Sequence, residues 1–84
     1  MKHVTILFFA TLREITGQKK ILKTIPEDLI IKDLKELLIM EYPGLQDIMN
    51  SVIIAINHEF AFDIMNIPPD SEIALFPPVS GGRS

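Results

Sequence analysis

Only one stretch of this 84-residue sequence carries a long helical period, and its other apolar segments alternate in the manner of strands. Around residues 31–42, Ile30, Leu34, Leu37 and Leu38 fall at i, i+4, i+7 and i+8, while Lys32, Asp33, Lys35 and Glu36 occupy the opposite side. One amphipathic helix can cover one face of one sheet. A two-layer α+β domain with a second, uncovered sheet face follows from that arithmetic. A chain of this size buries only about 60% of its unfolded surface, so there is room for a single core. With 48% hydrophobic residues the chain is well supplied to build it.

The strand segments set the order. Residues 3–9 (HVTILFF) are β-branched and aromatic and predict a first strand. Thr11 followed by Glu14 has the form of a capping box, and Gly17 stands where a short helix over residues 11–16 would stop. Residues 19–25 (KKILKTI) predict a second strand, antiparallel to the first. Pro43-Gly44 ends the main helix; its start lacks a Ser or Thr cap, and Asp28 is the nearest candidate. Residues 52–57 (VIIAIN) and 72–76 (EIALF) predict two further strands, joined through Pro68-Pro69-Asp70-Ser71. Pro77-Pro78 stops the last one, because proline donates nothing to a ladder. The expected fold is a β-grasp, ubiquitin-like α+β domain over residues 1–76. Its mixed four- to five-stranded sheet carries one main helix on one face, with the first and last strands parallel and central. Residues 77–84 are expected to form a flexible C-terminal tail containing Gly-Gly.

Composition removes several classes of function. A formal charge of −3 argues against binding a phosphate backbone, which needs a basic face. The absence of cysteine excludes disulfides, thiolate metal sites and cysteine nucleophiles. No run approaches the roughly 18 apolar residues of a membrane span, and the start lacks a cleavage signal, so a cytoplasmic domain is expected. His3 and His58 have no companions at metal-ligand spacing and read as solvated or strand-edge residues; no metal site is expected. Met40, Met49 and Met65 read as core gap-fillers. Lys19, Lys20 and Lys23 read as a solubilising strip on an edge strand. Asn57 reads as a turn residue, and Asp70 with Glu72 as a turn and strand start.

Alternation divides each strand between two faces. Val4, Ile6, Phe8, Ile73 and Leu75 are assigned to the helix side, and Thr5, Leu7, Phe9, Ala74 and Phe76 to the open side. Phe9 and Phe76 then meet on the uncovered surface, close to where the tail departs, and Phe60 is placed to join them. Exposed aromatics grouped this way mark a partner site. Beyond Phe76, Pro77-Pro78 favours an extended exit. The arm from Phe76 to Gly82 reaches roughly 20 Å at about 3.3–3.6 Å per residue. Gly81 and Gly82 lack side chains and can pass a constriction. The reactive group such an arm offers is its α-carboxylate, inert until activated as an acyl-adenylate.

The segments LFFATLRE and TG near the start, AIN in the middle and SEIALFPPVSGG at the end resemble the MoaD/ThiS family of ubiquitin-like sulfur carriers. The double proline places the resemblance in its MoaD branch, the small subunits of molybdopterin synthase. The match runs from the first strand to Gly82. The resemblance implies that a ubiquitin-activating-like (MoeB-like) enzyme adenylates Gly82 using ATP and that a sulfur donor converts it to a thiocarboxylate. The tail would then enter a MoaE-like large subunit and give its sulfur to cyclic pyranopterin monophosphate, for a molybdenum or tungsten cofactor. It further implies that Gly81 is the narrow passage, that Pro77, Pro78, Val79 and Ser80 are the threaded arm, and that Phe9, Arg13, Phe60 and Phe76 dock on the partner. No bound cofactor, nucleic acid or membrane partner is implied. Zinc, where present, belongs to the activating enzyme.

Two other functions share the tail chemistry: a sulfur carrier for thiamine or tRNA thiolation, and a ubiquitin-like protein modifier. Arg83-Ser84 lie beyond the glycine expected to react. They read as an artificial terminal addition, as a native extension removed by a peptidase, or as the mark of a copy that carries no sulfur.

Overall fold

The computed structural model describes residues 1–78. The expectations placed on Val79, Ser80, Gly81 and Gly82, and on Arg83-Ser84, concern residues outside those described. The elements run β1 (Lys2–Phe8), α1 (Thr11–Thr16), β2 (Lys20–Ile25), α2 (Ile31–Glu41), β3 (Ile53–Ile56), β4 (Glu59–Ala61) and β5 (Glu72–Phe76). Two single-turn 3-10 segments, Pro43–Leu45 and Met49–Ser51, lie between α2 and β3. The sheet order is β2-β1-β5-β3-β4. β1 and β5 pair in parallel at the centre, and every other neighbouring pair is antiparallel. This is the expected β-grasp. Among the described residues no helix is long and apolar enough to cross a membrane.

The faces divide as the alternation requires. Val4, Ile6, Phe8, Ile25, Ile54, Ile73 and Leu75 are buried beneath α2, which contributes Ile31, Leu34 and Leu38. Leu12, Leu45, Met49 and Ile67 close the ends of this core. Burying side chains of this size contributes about 1.5–3 kcal/mol each before conformational entropy is subtracted. Phe8 meets the edge of the Tyr42 ring at 5.8 Å with the planes 75° apart.

The structure corrects several local expectations. No capping box forms at α1. Its N-cap is Ala10, at φ 51° and ψ −125°, without a side-chain hydrogen bond. The turn is held instead by the Leu12 N–H donating to the Phe9 carbonyl at 3.0 Å. The expected stop holds: Gly17 takes a left-handed conformation, and its N–H closes onto Arg13. At α2 the cap is not Asp28. Asp33 reaches back to accept the Ile30 N–H at 3.4 Å. The Ile31 and Lys32 N–H groups donate to the carbonyls of Met65 and Asp63, at 3.1 and 2.9 Å. Ile31, rather than Ile30, is the first buried residue of the stripe, and Leu37 is only half-buried.

β4 is the fifth strand that the expected four- to five-stranded sheet left unplaced. It forms because Asn57 and His58, at φ 49° and 75°, turn the chain back on β3. Asn57 is the turn residue expected, and it does more. Its N–H donates to the Glu72 carbonyl at 2.8 Å, and its Oδ1 accepts the Glu72 N–H at 2.9 Å, pinning the start of β5. β2 is an edge strand as expected, but the lysines are no single strip. Lys20 lies on the open face, whereas Lys23 turns to the helix side and pairs with Glu41 at 2.5 Å. Of the three methionines, Met49 alone is a core residue; Met40 and Met65 are 77% and 39% exposed. Lys2, unremarked in the sequence, is buried, and its Nζ donates to the carbonyls of Glu27 and Ile67.

Candidate functional site

Residues paired directly across neighbouring strands share a sheet face, so the register assembles the open surface row by row. One row runs Leu7, Ala74, Ala55, Phe60 across β1, β5, β3 and β4. The next row joins Phe76 of β5 to Ile53 of β3. Phe9 extends this row, because its N–H donates to the Leu75 carbonyl at 3.2 Å and prolongs the parallel β1/β5 ladder by one residue. The Phe9 and Phe76 rings stack with centroids 4.7 Å apart and planes 12° from parallel. Both are half-buried, and the core lies on the other side of the strands that carry them.

Phe60 takes the expected face but not the stack. It sits opposite Ala55, 75% exposed, on the outer strand β4. Two strand spacings of about 4.8 Å separate its strand from that of Phe76. Arg13 is exposed on α1, one short turn after Phe9. Pro77 is half-buried and Pro78 exposed, so the chain leaves the sheet from beside the stacked rings. Thus Phe9 and Phe76 stack just before Pro77 leaves the sheet, Phe60 lies two strands away on β4, Arg13 is exposed on α1, and residues 79–82 are outside the described chain.

A strained residue follows the aromatic pair directly. At φ 51° and ψ −125° Ala10 occupies backbone space that glycine prefers, at a cost of about 1–3 kcal/mol. That strained residue separates Phe9 from the α1 turn that carries Arg13. Alternation located the phenylalanines, but no feature of an Ala-Thr dipeptide announces the turn. The sequence reading also passed over Leu22, Phe62 and Ile64, which are 81%, 71% and 83% exposed. The apolar run FAFDIM was the available signal for the last two.

The face is built for contact rather than for proton transfer. Among the described residues, the two groups with displaced pKa values lie elsewhere. The N-terminal ammonium, 2.9 Å away, holds the Glu27 carboxyl below its usual range. Burial, followed by the charge of Glu41, raises Tyr42. Among the described residues no cluster of three His, Cys, Asp or Glu side chains could hold a metal ion. What the surface can do is bury aromatic area against a second molecule.

Comparison with known proteins agrees with this fold. The model of the ThiS family matches residues 6–82. The chain is 33% identical over 83 residues to the molybdopterin synthase sulfur carrier subunit of Homo sapiens, covering 95% of this chain and 94% of that one. The solution structure of small archaeal modifier protein 1 from Methanosarcina acetivorans superposes with a TM-score of 0.78 at 27% identity, covering 98% of each chain. A chain from the complex of subunits 1 and 2 of the molybdopterin-converting factor of Helicobacter pylori superposes at 0.67 with 25% identity, covering 95% of this chain and 99% of that one.

Proposed function

The chain belongs to the ThiS family, and from that premise we propose that it is the sulfur carrier subunit of a molybdopterin synthase. The observation that carries the reading is the Phe9/Phe76 stack at the root of the Pro77-Pro78 exit. It supplies a docking surface beside a directed arm, which a carrier that must deliver its own terminus to another protein's active site requires. The similarity to a subunit of a two-subunit complex supports a large-subunit partner.

The chemistry resides on Gly82. In a chain that ends at Gly82, after Arg83-Ser84 are removed by hydrolysis of the Gly82–Arg83 bond, its carboxylate attacks the α-phosphate of ATP on an adenylating enzyme and expels pyrophosphate, giving an acyl-adenylate. Sulfide from the sulfur donor attacks the acyl carbon, AMP leaves and a proton is released, so the terminus becomes a thiocarboxylate. In the large subunit the thiocarboxylate sulfur bonds to a carbon of the pterin precursor as an oxygen substituent leaves, and water then cleaves the acyl–sulfur bond and returns the carboxylate. The chain therefore serves as carrier and co-substrate, while groups of the partner protein catalyse the transfer. The absence of cysteine is compatible with this route, since the sulfur rides on an acyl carbon.

The test is intact mass after incubation with the adenylating enzyme, ATP and a sulfur source, using chains ending at Gly82 and at Ser84. The chain ending at Gly82 is expected to exchange one oxygen for sulfur, and the longer one to remain unchanged. The thiocarboxylate form is then mixed with the large subunit and cyclic pyranopterin monophosphate. Formation of the dithiolene supports the proposal; a charged carrier that yields none defeats it. Amide adducts to lysines of other proteins would support a modifier instead.

A further inference from the structure

The turn that follows β4 combines strong exposure with a rigid frame. Phe62 and Ile64 are 71% and 83% exposed, and Met65 is 39% exposed. An exposed turn would ordinarily be polar, and a polar turn need not be held firmly. This one is fastened on several sides. The Met65 N–H donates to the Phe62 carbonyl at 3.0 Å, and the Phe62 N–H donates to the Met65 sulfur at 3.2 Å. The carbonyls of Asp63 and Met65 accept the first N–H groups of α2. Lys35 pairs with the Asp63 carboxylate at 2.7 Å, and Ile30 forms a bridge with Asn66. Apolar side chains on a pre-ordered backbone lose little entropy when they bind, which is the condition for an interface anchor.

The turn directly follows β4, the outer strand that places Phe60 on the docking face. The β3/β4 register sets Ile54 opposite Ala61 and Ala55 opposite Phe60. Phe62 follows directly on β4, two residues beyond Phe60, and is 71% exposed. The rows that contain Phe9, Phe76 and Phe60 span four strands, roughly 14 Å at about 4.8 Å per step. A strip of that width and two rows deep falls well short of the ~800 Å² each partner buries in a stable complex. We propose that the turn formed by Phe62, Asp63, Ile64 and Met65 is a second lobe of the docking surface and that the large subunit of the synthase covers it. This rests on the carrier reading above.

The experiment compares the chain ending at Gly82 with a Phe62→Ser/Ile64→Ser double variant and a single Ile64→Lys variant of the same length. Each is titrated calorimetrically with the large subunit, with thermal unfolding and adenylation measured in parallel. Phe76→Ala serves as a control on the stacked pair. Binding is expected to weaken about tenfold or more in both turn variants, while unfolding and adenylation stay as in the parent. If the turn variants bind like the parent while Phe76→Ala does not, the second lobe is disproved and the carrier reading stands. If the parent itself does not bind the large subunit, the carrier reading falls and the second lobe with it. If the parent self-associates and the turn variants abolish that without changing large-subunit affinity, the turn is an interface between copies, and the proposal is overturned.

Discussion

Phe9 and Phe76 stack face to face, 4.7 Å between centroids, although they come from opposite ends of the chain. The parallel pairing of β1 with β5 brings them together. Each stands at or just beyond the end of its strand, where the sheet gives way to α1 on one side and to the proline exit on the other. The pair therefore reports on both fold and function.

An aromatic pair of this geometry contributes about 0.5–1.5 kcal/mol beyond its buried area. Urea unfolding of Phe9→Leu, Phe76→Leu and the double variant should give a coupling energy in that range. Titration of the same variants with the large subunit should show each single change weakening binding about tenfold or more. Additive unfolding energies would mean the rings do not support one another.

Ala10 is strained at φ 51° and ψ −125°. Ala10→Gly should relieve that strain and raise stability by about 1 kcal/mol, after allowing for the extra freedom of glycine in the unfolded chain. Ala10→Val should lower it. Urea midpoints of the three proteins check the order.

The Lys2 ammonium is buried with the carbonyls of Glu27 and Ile67 as its acceptors. Lys2→Met keeps the length of the side chain but leaves both carbonyls without that donor. A loss of about 1–3 kcal/mol is expected. Chemical denaturation measures it, and retention of full stability would show that water or a shift of the chain satisfies both groups.

Tyr42 is the only tyrosine, so its titration can be followed without ambiguity. Burial, with the nearby Glu41 charge second, raises its pKa in the folded state. The sign follows from linkage: the folded protein binds the phenolic proton more tightly than the unfolded chain does. Tyr42 therefore contributes its full stabilisation below the ordinary tyrosine pKa of about 10, and the contribution is lost as pH rises through the higher folded value. Phenolate absorbance should titrate above the free amino acid, and Tyr42→Phe should flatten the alkaline decline in stability.

The period and alternation of the chain were enough to determine the class of fold, the order of the long elements and the face each strand residue would take. Leu34 and Leu38 lie under the sheet because a helix repeats every 3.6 residues. Phe9 and Phe76 lie opposite the core because a strand repeats every two. The proline stop after Phe76 was equally local. Tertiary structure decided what depends on groups distant in sequence. β4 exists because Asn57 and His58 adopt positive φ without a glycine to signal it, held by Asn57 contacts to Glu72. The start of α2 is satisfied by carbonyls from Asp63 and Met65, which no adjacent cap residue could reveal. Lys2 is buried only because two remote carbonyls accept its protons. Side-chain period is a property of neighbours along the chain and can be read there; hydrogen-bond partners and register across a sheet arise only when the chain closes on itself.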